Sequence, residues 1–350
     1  VRCKPQVTRQ SPFSWPFSDY NQRQKKPMIR DQEVLNQLVD TIHRFVRDRL
    51  IPAEQSVAEN DAIPEDIARE MKEMGLFGLS IPEEYGGLGL TMEEEALVAF
   101  EIGHTSPAFR SFFGTNNGIG AQGILIDGTE EQKQKYVPKL ATGEVISSFC
   151  LTEPDVGSDA ASLKTRADKA GDHYILNGTK RYITNGPEAG LYTVMARTDQ
   201  NNKGAGGITA FIVEGDTPGL IRGKPDVKMG QKGAHTCDII FENCRVPAEN
   251  IIGGQEGKGF KTAMKVLDRG RLHISAICVG VAYRLIEDAV NFSAERKQFG
   301  KPIIEHQLIQ AMLADSRAEA FAGRSMVLEA ARSKDRGERV SLDASCCKLF

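Results

Sequence analysis

The sequence predicts a multidomain α+β chain with an N-terminal helical domain, a central β-sandwich or barrel domain, and an incomplete C-terminal helical bundle. Between Asp31 and about residue 145, apolar residues recur every three or four positions, as they do on one face of a helix. From Ile146 the period becomes two, and turn residues separate short apolar runs. Beyond Gly259 the helical period returns over long stretches. The predicted domains are therefore 28–145, 146–258 and 259–350.

Composition and charge exclude several classes of protein. The 350 residues carry a net charge of -3, with 40% hydrophobic and 26% charged residues, so neither a nucleic-acid-binding surface nor a disordered chain is expected. No apolar run approaches the roughly 18 residues that span a bilayer, so no membrane insertion is predicted. The 7 cysteines show neither a CxxC pair nor zinc-site spacing with histidine, so no metal site is predicted and a reducing compartment is favoured.

Residues 1–27 differ in composition from the rest of the chain. They are rich in Arg, Lys, Gln, Ser and Pro and have no apolar segment of a secretory signal. A mitochondrial transit peptide is one interpretation of this Arg-rich start. The interpretation we favour is a disordered or spurious extension, with the folded protein beginning near Met28.

Start and stop signals define the helices of the first domain. A helix is predicted from Asp31 to a stop at Pro52, and a second from Pro64 to Gly75. Thr91 and Glu94 form a capping box for a third helix. Another helix is predicted to begin near Thr129.

The most informative stretch is Phe149–Gly186, which falls into two blocks. The first, Cys150–Asp159, is predicted to be a shaped loop, because its Pro and Gly restrict and redirect the backbone. The second begins with Asn177-Gly178, which predicts a hairpin turn. Together these blocks are expected to bring hydroxyl and aromatic groups to one flat ligand, namely those of Thr152, Ser158, Tyr182 and Thr184. The predicted strands are 146–151, 173–177, 181–184, 191–197, 207–214 and 237–241.

Two long helices are predicted in the third domain, over 260–296 and about 305–334. In the second helix, small residues share one face and favour close approach of a neighbouring helix: Ala311, Ala314, Ala318 and Ala322. Ser341 is predicted to be an N-cap. Because the sequence stops at Phe350 within that last helix, we expect an incomplete bundle and a fragment of a longer protein.

Several motifs occur in the order in which acyl-CoA dehydrogenases carry them. They include Ile81–Leu90, Thr129–Tyr136, the two blocks above, Val246–Asn250 and Glu295–Gly300. Residues 30–350 therefore resemble this family of flavoenzymes. The resemblance implies FAD bound without a Gly-rich dinucleotide loop, and the sequence shows no such loop. It also implies an acyl-CoA substrate, electron-transfer flavoprotein as the electron acceptor, and a homo-oligomer that is usually a tetramer.

The resemblance also assigns roles to residues. The FAD contacts that it implies are Phe149, Leu151, Thr152, Gly157, Ser158, Tyr182, Ile183, Thr184, Arg296, Gln298, Phe299, His306 and Gln307. Arg296 and Gln298 would reach the FAD of a neighbouring subunit. The implied acyl-CoA contacts are Ser158, Asp268 and Arg271. Tyr182 stands where the family usually has a tryptophan, and Val156 is bulkier than the residue usual there. Phe112 and Phe113 would be core aromatics or would shorten the acyl pocket.

The implied reaction needs a base. Oxidation of a saturated acyl thioester removes a proton from Cα and a hydride from Cβ, and the hydride goes to the flavin. The family usually uses a glutamate in a late loop of the bundle, which would lie after Phe350. Some relatives place it one residue before the arginine that matches Arg271, where this chain has Gly270. The sequence therefore predicts either a truncated enzyme, which we favour, or an inactive one.

Three functions follow as hypotheses. The favoured one is an FAD-dependent acyl-CoA dehydrogenase of fatty-acid or branched-chain amino-acid degradation that forms trans-2-enoyl-CoA. An acyl-CoA oxidase or flavin monooxygenase of the same fold is the second, and a non-catalytic flavin- or CoA-binding partner is the third. The expected location is the cytoplasm in a bacterium or the mitochondrial matrix in a eukaryote.

Overall fold

The computed structural model describes residues 29–350, and the predictions for residues 1–27 lie outside this range. Helices, a curled β domain and further helices follow one another along the chain, which confirms the predicted α+β class. Within the described residues, no helix is long and apolar enough to cross a bilayer.

The first part of the chain consists of short helices packed around an apolar core. These are α1 (Gln32–Phe45), α2 (Ile51–Asn60), α3 (Glu65–Glu73), α4 (Met92–Ile102), α5 (Pro107–Asn117), α6 (Gln122–Asp127) and α7 (Glu130–Ala141). The capping boxes at Thr91 and Thr129 both form, so the predicted starts of α4 and α7 are confirmed. Helices α5 and α6 were not predicted.

The prediction that Pro52 ends the first helix is wrong. A π-helical turn, Val46–Leu50, joins α1 to α2, and Pro52 lies in the first turn of α2. At the end of this turn the amide of Ile51 donates to the carbonyl of Val46, five residues earlier, whereas an α-helix would use the carbonyl four residues earlier. Pro52 has no N–H to donate, and proline is tolerated in the first turn of a helix. The π-helical turn therefore lets the chain continue from α1 into α2 without a break at Pro52.

The β domain is one seven-stranded sheet that is largely antiparallel. Its strands are β1 (Ser147–Cys150), β2 (Arg166–Ala170), β3 (His173–Thr184), β4 (Leu191–Arg197), β5 (Ile208–Glu214), β6 (Leu220–Arg222) and β7 (Thr236–Pro247). The strand order is β1-β4-β2-β3-β7-β6. Strand β5 lies outside this path and pairs with β4 in antiparallel orientation. Tyr192 and Val194 of β4 face the core inside the domain, whereas Leu191 and Met195 face α7 and the start of α8.

The hairpin predicted at Asn177-Gly178 is wrong, and strands β2 and β6 were missed. The turn lies instead at Gly171-Asp172, between β2 and β3. Gly178 sits inside β3 at a shift in its register with β7. A Cβ atom there would approach the Thr165 hydroxyl to 2.5 Å, so glycine marks a bulge and a close contact.

The third part is a helical bundle of α8 (Gly259–Glu295), α9 (Gln307–Asp335) and α10 (Ser341–Leu349). A small hairpin, β8 (Lys297–Gln298) and β9 (Lys301–Pro302), joins the two long helices, whose predicted extents are confirmed. Ser341 is not the N-cap of α10: that residue is Val340, and the Ser341 hydroxyl bonds to Asp268 instead. The alanine face predicted to pack is exposed in the single chain, and the buried face of α9 includes Ala320, Gly323 and Val327.

Candidate active site

A cavity lies between the Cys150–Asp159 loop, the end of β3 and the beginning of α8. It has a volume of about 440 Å³, and we refer to it as the loop cavity. It brings together eight of the residues predicted to contact the cofactor, namely Phe149, Leu151, Thr152, Gly157, Ser158, Tyr182, Ile183 and Thr184. The other lining residues are Ile119, Ala160, Arg181, Phe260, Met264, Leu267 and Arg271. The sequence signals at 149–158 and 182–184 therefore belong to one concave surface.

A buried ion pair fixes the shape of the loop. Lys180 Nζ lies 2.8 Å from Glu153 Oε1 and 3.2 Å from the carbonyl of Leu151. The same carboxylate accepts from the backbone amides of Lys164 and Thr165. Burial opposes ionisation of Glu153, but Lys180 and these amides outweigh it and hold the pKa of the carboxyl below its usual range.

Three hydroxyls of the loop cavity are free to bind a ligand. Among the described residues, no partner bonds to the hydroxyls of Thr152, Ser158 or Thr184. The Tyr182 side chain is 63% exposed and carries the Arg181 guanidinium 4.8 Å from its ring centre. Its backbone has φ +58°, an unfavourable conformation for a tyrosine and one that is often found at functional sites. Val156 packs into the adjoining core.

A second cavity, the inner cavity, adjoins the first. Its volume is about 360 Å³, and it shares Ile119, Thr184, Leu267 and Arg271 with the loop cavity. Gly270 also lines it. A ligand that lies against these shared residues can therefore extend from one cavity into the other.

The predicted pair of Asp268 and Arg271 lies at this junction. Arg271 Nη1 donates to Asp268 Oδ1 at 2.6 Å, and the other oxygen of Asp268 accepts from Ser341 at 2.6 Å. Arg271 lines both cavities, whereas Asp268 lines neither. Asp268 is thus placed to orient the guanidinium rather than to touch a ligand.

The inner cavity also has a charged wall that the sequence did not reveal. Arg110, Glu95, Arg269 and His273 meet there, from α4, α5 and α8. Arg269 pairs with Glu95, and burial still raises the pKa of this carboxyl above its usual range. Burial, with help from Arg110 and Arg269, holds the pKa of His273 well below its usual range, so this imidazole is neutral. An arginine between phenylalanines, in Ala108–Phe113, was the one available signal.

Comparison with known proteins identifies the family. Profiles of the N-terminal, middle and C-terminal domains of acyl-CoA dehydrogenases match residues 32–144, 148–244 and 257–350. An acyl-CoA dehydrogenase of Bacillus subtilis (strain 168) is 40% identical over 309 residues, which are 88% of this chain and 81% of that protein. The chain belongs to the acyl-CoA dehydrogenase family. It is therefore an oxidoreductase that acts on the CH–CH bond of an acyl-CoA and uses FAD.

Solved structures give the same result. A chain in a structure of the electron transferring flavoprotein of Acidaminococcus fermentans superposes with a TM-score of 0.87 and 39% identity. Butyryl-CoA dehydrogenase from Megasphaera elsdenii superposes with a TM-score of 0.86 and 36% identity. Each match covers 91% of this chain and 84% of the other.

FAD is chemically compatible with the loop cavity of this acyl-CoA dehydrogenase. Unpartnered hydroxyls can donate to the polar edge of a flavin without adding a fixed charge, and apolar walls can hold its rings. Such walls are present in Leu151, Ile183 and Met264. The open Tyr182 ring offers a further flat surface at the rim.

The remaining predicted FAD residues lie elsewhere in the acyl-CoA dehydrogenase fold. Arg296, Gln298, Phe299, His306 and Gln307 surround the β8–β9 hairpin, and none of them lines either cavity. Phe299 is 94% exposed, and the Nε2 atom of His306 is buried without a partner among the described residues. Within one chain, the structure does not bring this group to the loop cavity. Phe112 and Phe113 line neither cavity, and both pack edge-on against Phe77.

Proposed function

We propose that this acyl-CoA dehydrogenase oxidises a saturated acyl-CoA to the trans-2-enoyl-CoA and passes the electrons to electron-transfer flavoprotein. The observation that carries the proposal is that the loop and inner cavities are lined by common residues, among them Thr184, Leu267 and Arg271. Cofactor and acyl chain must touch for a hydride to pass between them, and these shared residues supply the place of contact.

In this proposal the loop cavity holds the flavin ring, whose chemistry when bound is to accept the hydride from Cβ. Thr152, Tyr182 and Thr184 bind the ring and orient it. Phe149, Leu151, Gly157 and Ile183 form the surface on which it rests. Ser158 contacts the CoA ligand. These roles are supported by the unpartnered hydroxyls and by the apolar lining.

Arg271 binds the thioester end or the pantetheine arm of the substrate. Its ion pair with Asp268 keeps the guanidinium at the junction of the cavities, and Ser341 in turn holds the carboxylate. A group fixed before binding loses less conformational entropy when the ligand arrives, so this arrangement favours tight and oriented binding.

We propose that the residues around the β8–β9 hairpin complete the cofactor site of a neighbouring subunit in a homo-oligomer. These residues are Arg296, Gln298, Phe299, His306 and Gln307. The proposed oligomer is a tetramer, as is usual in this family. Exposure of the Phe299 ring and the unpartnered Nε2 of His306 support this assignment. Both groups are costly in a lone chain and reasonable at an interface with a ligand or partner.

The proton of Cα must go to a base. Among the described residues that line the two cavities, Glu95 is the one carboxylate, and it is tied to Arg269. We therefore propose that the base is a glutamate of the late bundle loop, with the position of Gly270 as the alternative.

We also propose domain boundaries of 28–145, 146–258 and 259–350. The proposed location is the cytoplasm for a bacterial source or the mitochondrial matrix for a eukaryotic one.

Anaerobic reduction of the FAD-loaded protein tests the proposal. Saturated acyl-CoA thioesters should bleach the visible flavin absorption and yield the trans-2-enoyl-CoA. Electron-transfer flavoprotein should then restore the colour, and oxygen should yield little peroxide. Rapid peroxide formation would favour an acyl-CoA oxidase. Binding of both ligands without any bleaching would contradict dehydrogenation by this chain.

A further inference from the structure

Arg110, on α5, is a cation without an acidic partner in the wall of the inner cavity. Its Nε and Nη2 atoms donate to His273 Nδ1 at 3.1 and 2.9 Å. No carboxylate of residues 29–350 lies within 4.0 Å of its guanidinium. Because the bond to an imidazole brings no negative charge, the positive charge of Arg110 remains uncompensated.

The neighbouring groups cannot supply this charge. Glu95 is paired with Arg269, so one carboxylate stands beside two guanidinium groups. His273 must be neutral, because an arginine can only donate and Nδ1 must therefore accept. The proton then sits on Nε2, which lies 3.7 Å from Glu95 Oε1. The cluster thus carries an excess of one positive charge, and burial correspondingly depresses the pKa of Arg110.

The fold makes room for this arginine. A Cβ atom on Gly114, one turn further along α5, would lie 3.0 Å from Arg110 Nε. Glycine at this position lets the guanidinium lie back along the helix toward His273. The hydroxyls beside it are already engaged: Ser111 donates to Gln231 at 2.9 Å, and Thr115 accepts from Asn185 at 2.8 Å. Two other atoms of this wall, Arg269 Nε and His273 Nε2, also lack a hydrogen-bond partner among the described residues, but Arg269 has Glu95 as its acidic partner. Arg110 is therefore the charged group of this wall without a counter-charge.

The position of Arg110 defines what it meets. It lines the inner cavity and not the loop cavity, so it lies beyond the residues that the two cavities share. An acyl chain that passes Thr184 and Arg271 presents its far end to Arg110. A purely apolar chain would displace water from this half-buried charge and leave it unpaired, which is unfavourable.

We infer that the preferred substrate is an acyl-CoA whose chain ends in a carboxylate, and that Arg110 determines this specificity by pairing with it. The inference rests on the proposed function, because it places the acyl chain in the inner cavity. A planar guanidinium with an open donor edge matches a carboxylate, and a charge-assisted bond in a partly desolvated site is strong.

Binding of unreactive product-type ligands tests this inference. Calorimetry on the FAD-loaded protein would compare fumaryl-, glutaconyl- and 2-hexenedioyl-CoA with the enoyl-CoA thioesters that end in a methyl group instead of the carboxylate. At least one dicarboxylic thioester should bind roughly 10- to 100-fold more tightly than its methyl-ended counterpart. Arg110→Met should abolish this ratio, and Arg110→Lys should retain part of it. Arg69→Met, which changes an arginine exposed on α3, should leave the ratio unchanged.

The outcomes separate the inference from the proposed function. Equal affinity for every pair in the natural protein would overturn the carboxylate preference but leave the dehydrogenase proposal intact. A preference that survives Arg110→Met, with flavin content unchanged, would show that another group recognises the carboxylate. Failure of all these thioesters to bind the FAD-loaded protein would contradict both ideas.

Discussion

The Nζ atom of Lys180 lies 2.8 Å from Oε1 of Glu153, and these side chains are 0% and 5% exposed. Lys180 belongs to β3 and Glu153 to the loop that follows β1, so the pair joins the two blocks of the site. Both charges are satisfied, since the lysine also donates to Leu151 and the carboxylate also accepts two amides. The pair therefore holds the loop cavity in shape.

Breaking this pair should disrupt the loop and lower the stability of the folded protein. We expect Lys180→Met to lower the free energy of unfolding by about 3–5 kcal/mol, because it leaves a buried carboxylate uncompensated. The double variant Lys180→Met, Glu153→Gln should recover part of the loss, since no charge then remains. Urea denaturation measures both values. A double variant no more stable than Lys180→Met would contradict the assigned role of the charge.

The same carboxylate should make stability depend on acid. The pKa of Glu153 is lowered in the folded protein, so its contribution is present above the unfolded value of about 4.3 and is lost as the pH falls through the folded one. The difference in stability between the natural protein and Glu153→Gln should therefore shrink in acid. Urea denaturation at a series of pH values from neutral to acidic would show this, and a difference independent of pH would contradict it.

His235 should have the opposite pH dependence. Its Nδ1 contacts the Glu188 carboxylate, and its Nε2 lies 2.8 Å from the Asp61 carbonyl, so both nitrogens face acceptors. Burial opposes the charge, but these acceptors raise the pKa of His235. Its stabilisation should be full below about pH 6.5 and be lost as the pH rises through the folded pKa. Thermal denaturation of His235→Gln should show a deficit of about 1 kcal/mol or less that disappears in alkali. A deficit that grows with pH would refute the assignment.

Helices α4 and α8 cross where Gly280 of α8 packs against Gly103, at the end of α4. A Cβ atom on Gly280 would lie 2.2 Å from the Phe100 carbonyl, whereas one on Gly270 of the same helix would meet Ile119 at an ordinary 3.5 Å. We expect Gly280→Ala to destabilise the protein by about 1–3 kcal/mol, since the helices must separate. Gly270→Ala should be neutral or stabilise it by about 0.5–1 kcal/mol. Denaturation of both variants provides a matched comparison, and equal effects would contradict this crossing.

Local signals predicted the elements well where one residue type has one physical role. Thr91 and Thr129 cap helices, and the change of period at Ile146 marks the β domain. Elsewhere, contacts between residues distant in sequence determine the structure, and the local signals gave wrong or incomplete predictions. Asn177-Gly178 is a turn signal by itself, but Thr165 from another part of the chain requires the glycine. Arg110 was missed because its partner His273 is far away in sequence.

Replacement of Arg271 should separate substrate binding from flavin binding. Arg271→Ala removes the cation at the junction of the cavities and leaves the hydroxyl-bearing loop intact. We expect acyl-CoA affinity to fall roughly 10- to 100-fold, as when one charged hydrogen bond is lost, with the flavin content unchanged. Calorimetry and flavin absorption measure the two properties. Loss of FAD with CoA binding intact would show that α8 has been assigned to the wrong ligand.

Position 270 offers a direct test of where the base can act. Gly270 lines the inner cavity next to Arg271, and the space beyond it begins with an ordinary contact to Ile119, so a longer side chain can enter. A carboxylate there should abstract the Cα proton, for which a well-placed base contributes about 10²–10⁴-fold. Gly270→Glu should therefore accelerate exchange of the Cα hydrogens of a bound acyl-CoA with deuterated water, measured by mass spectrometry. Gly270→Gln, of equal size but without a basic oxygen, is the control. Exchange no faster in the glutamate variant than in the glutamine variant would mean that position 270 does not reach Cα, and the base must then approach from another part of the bundle.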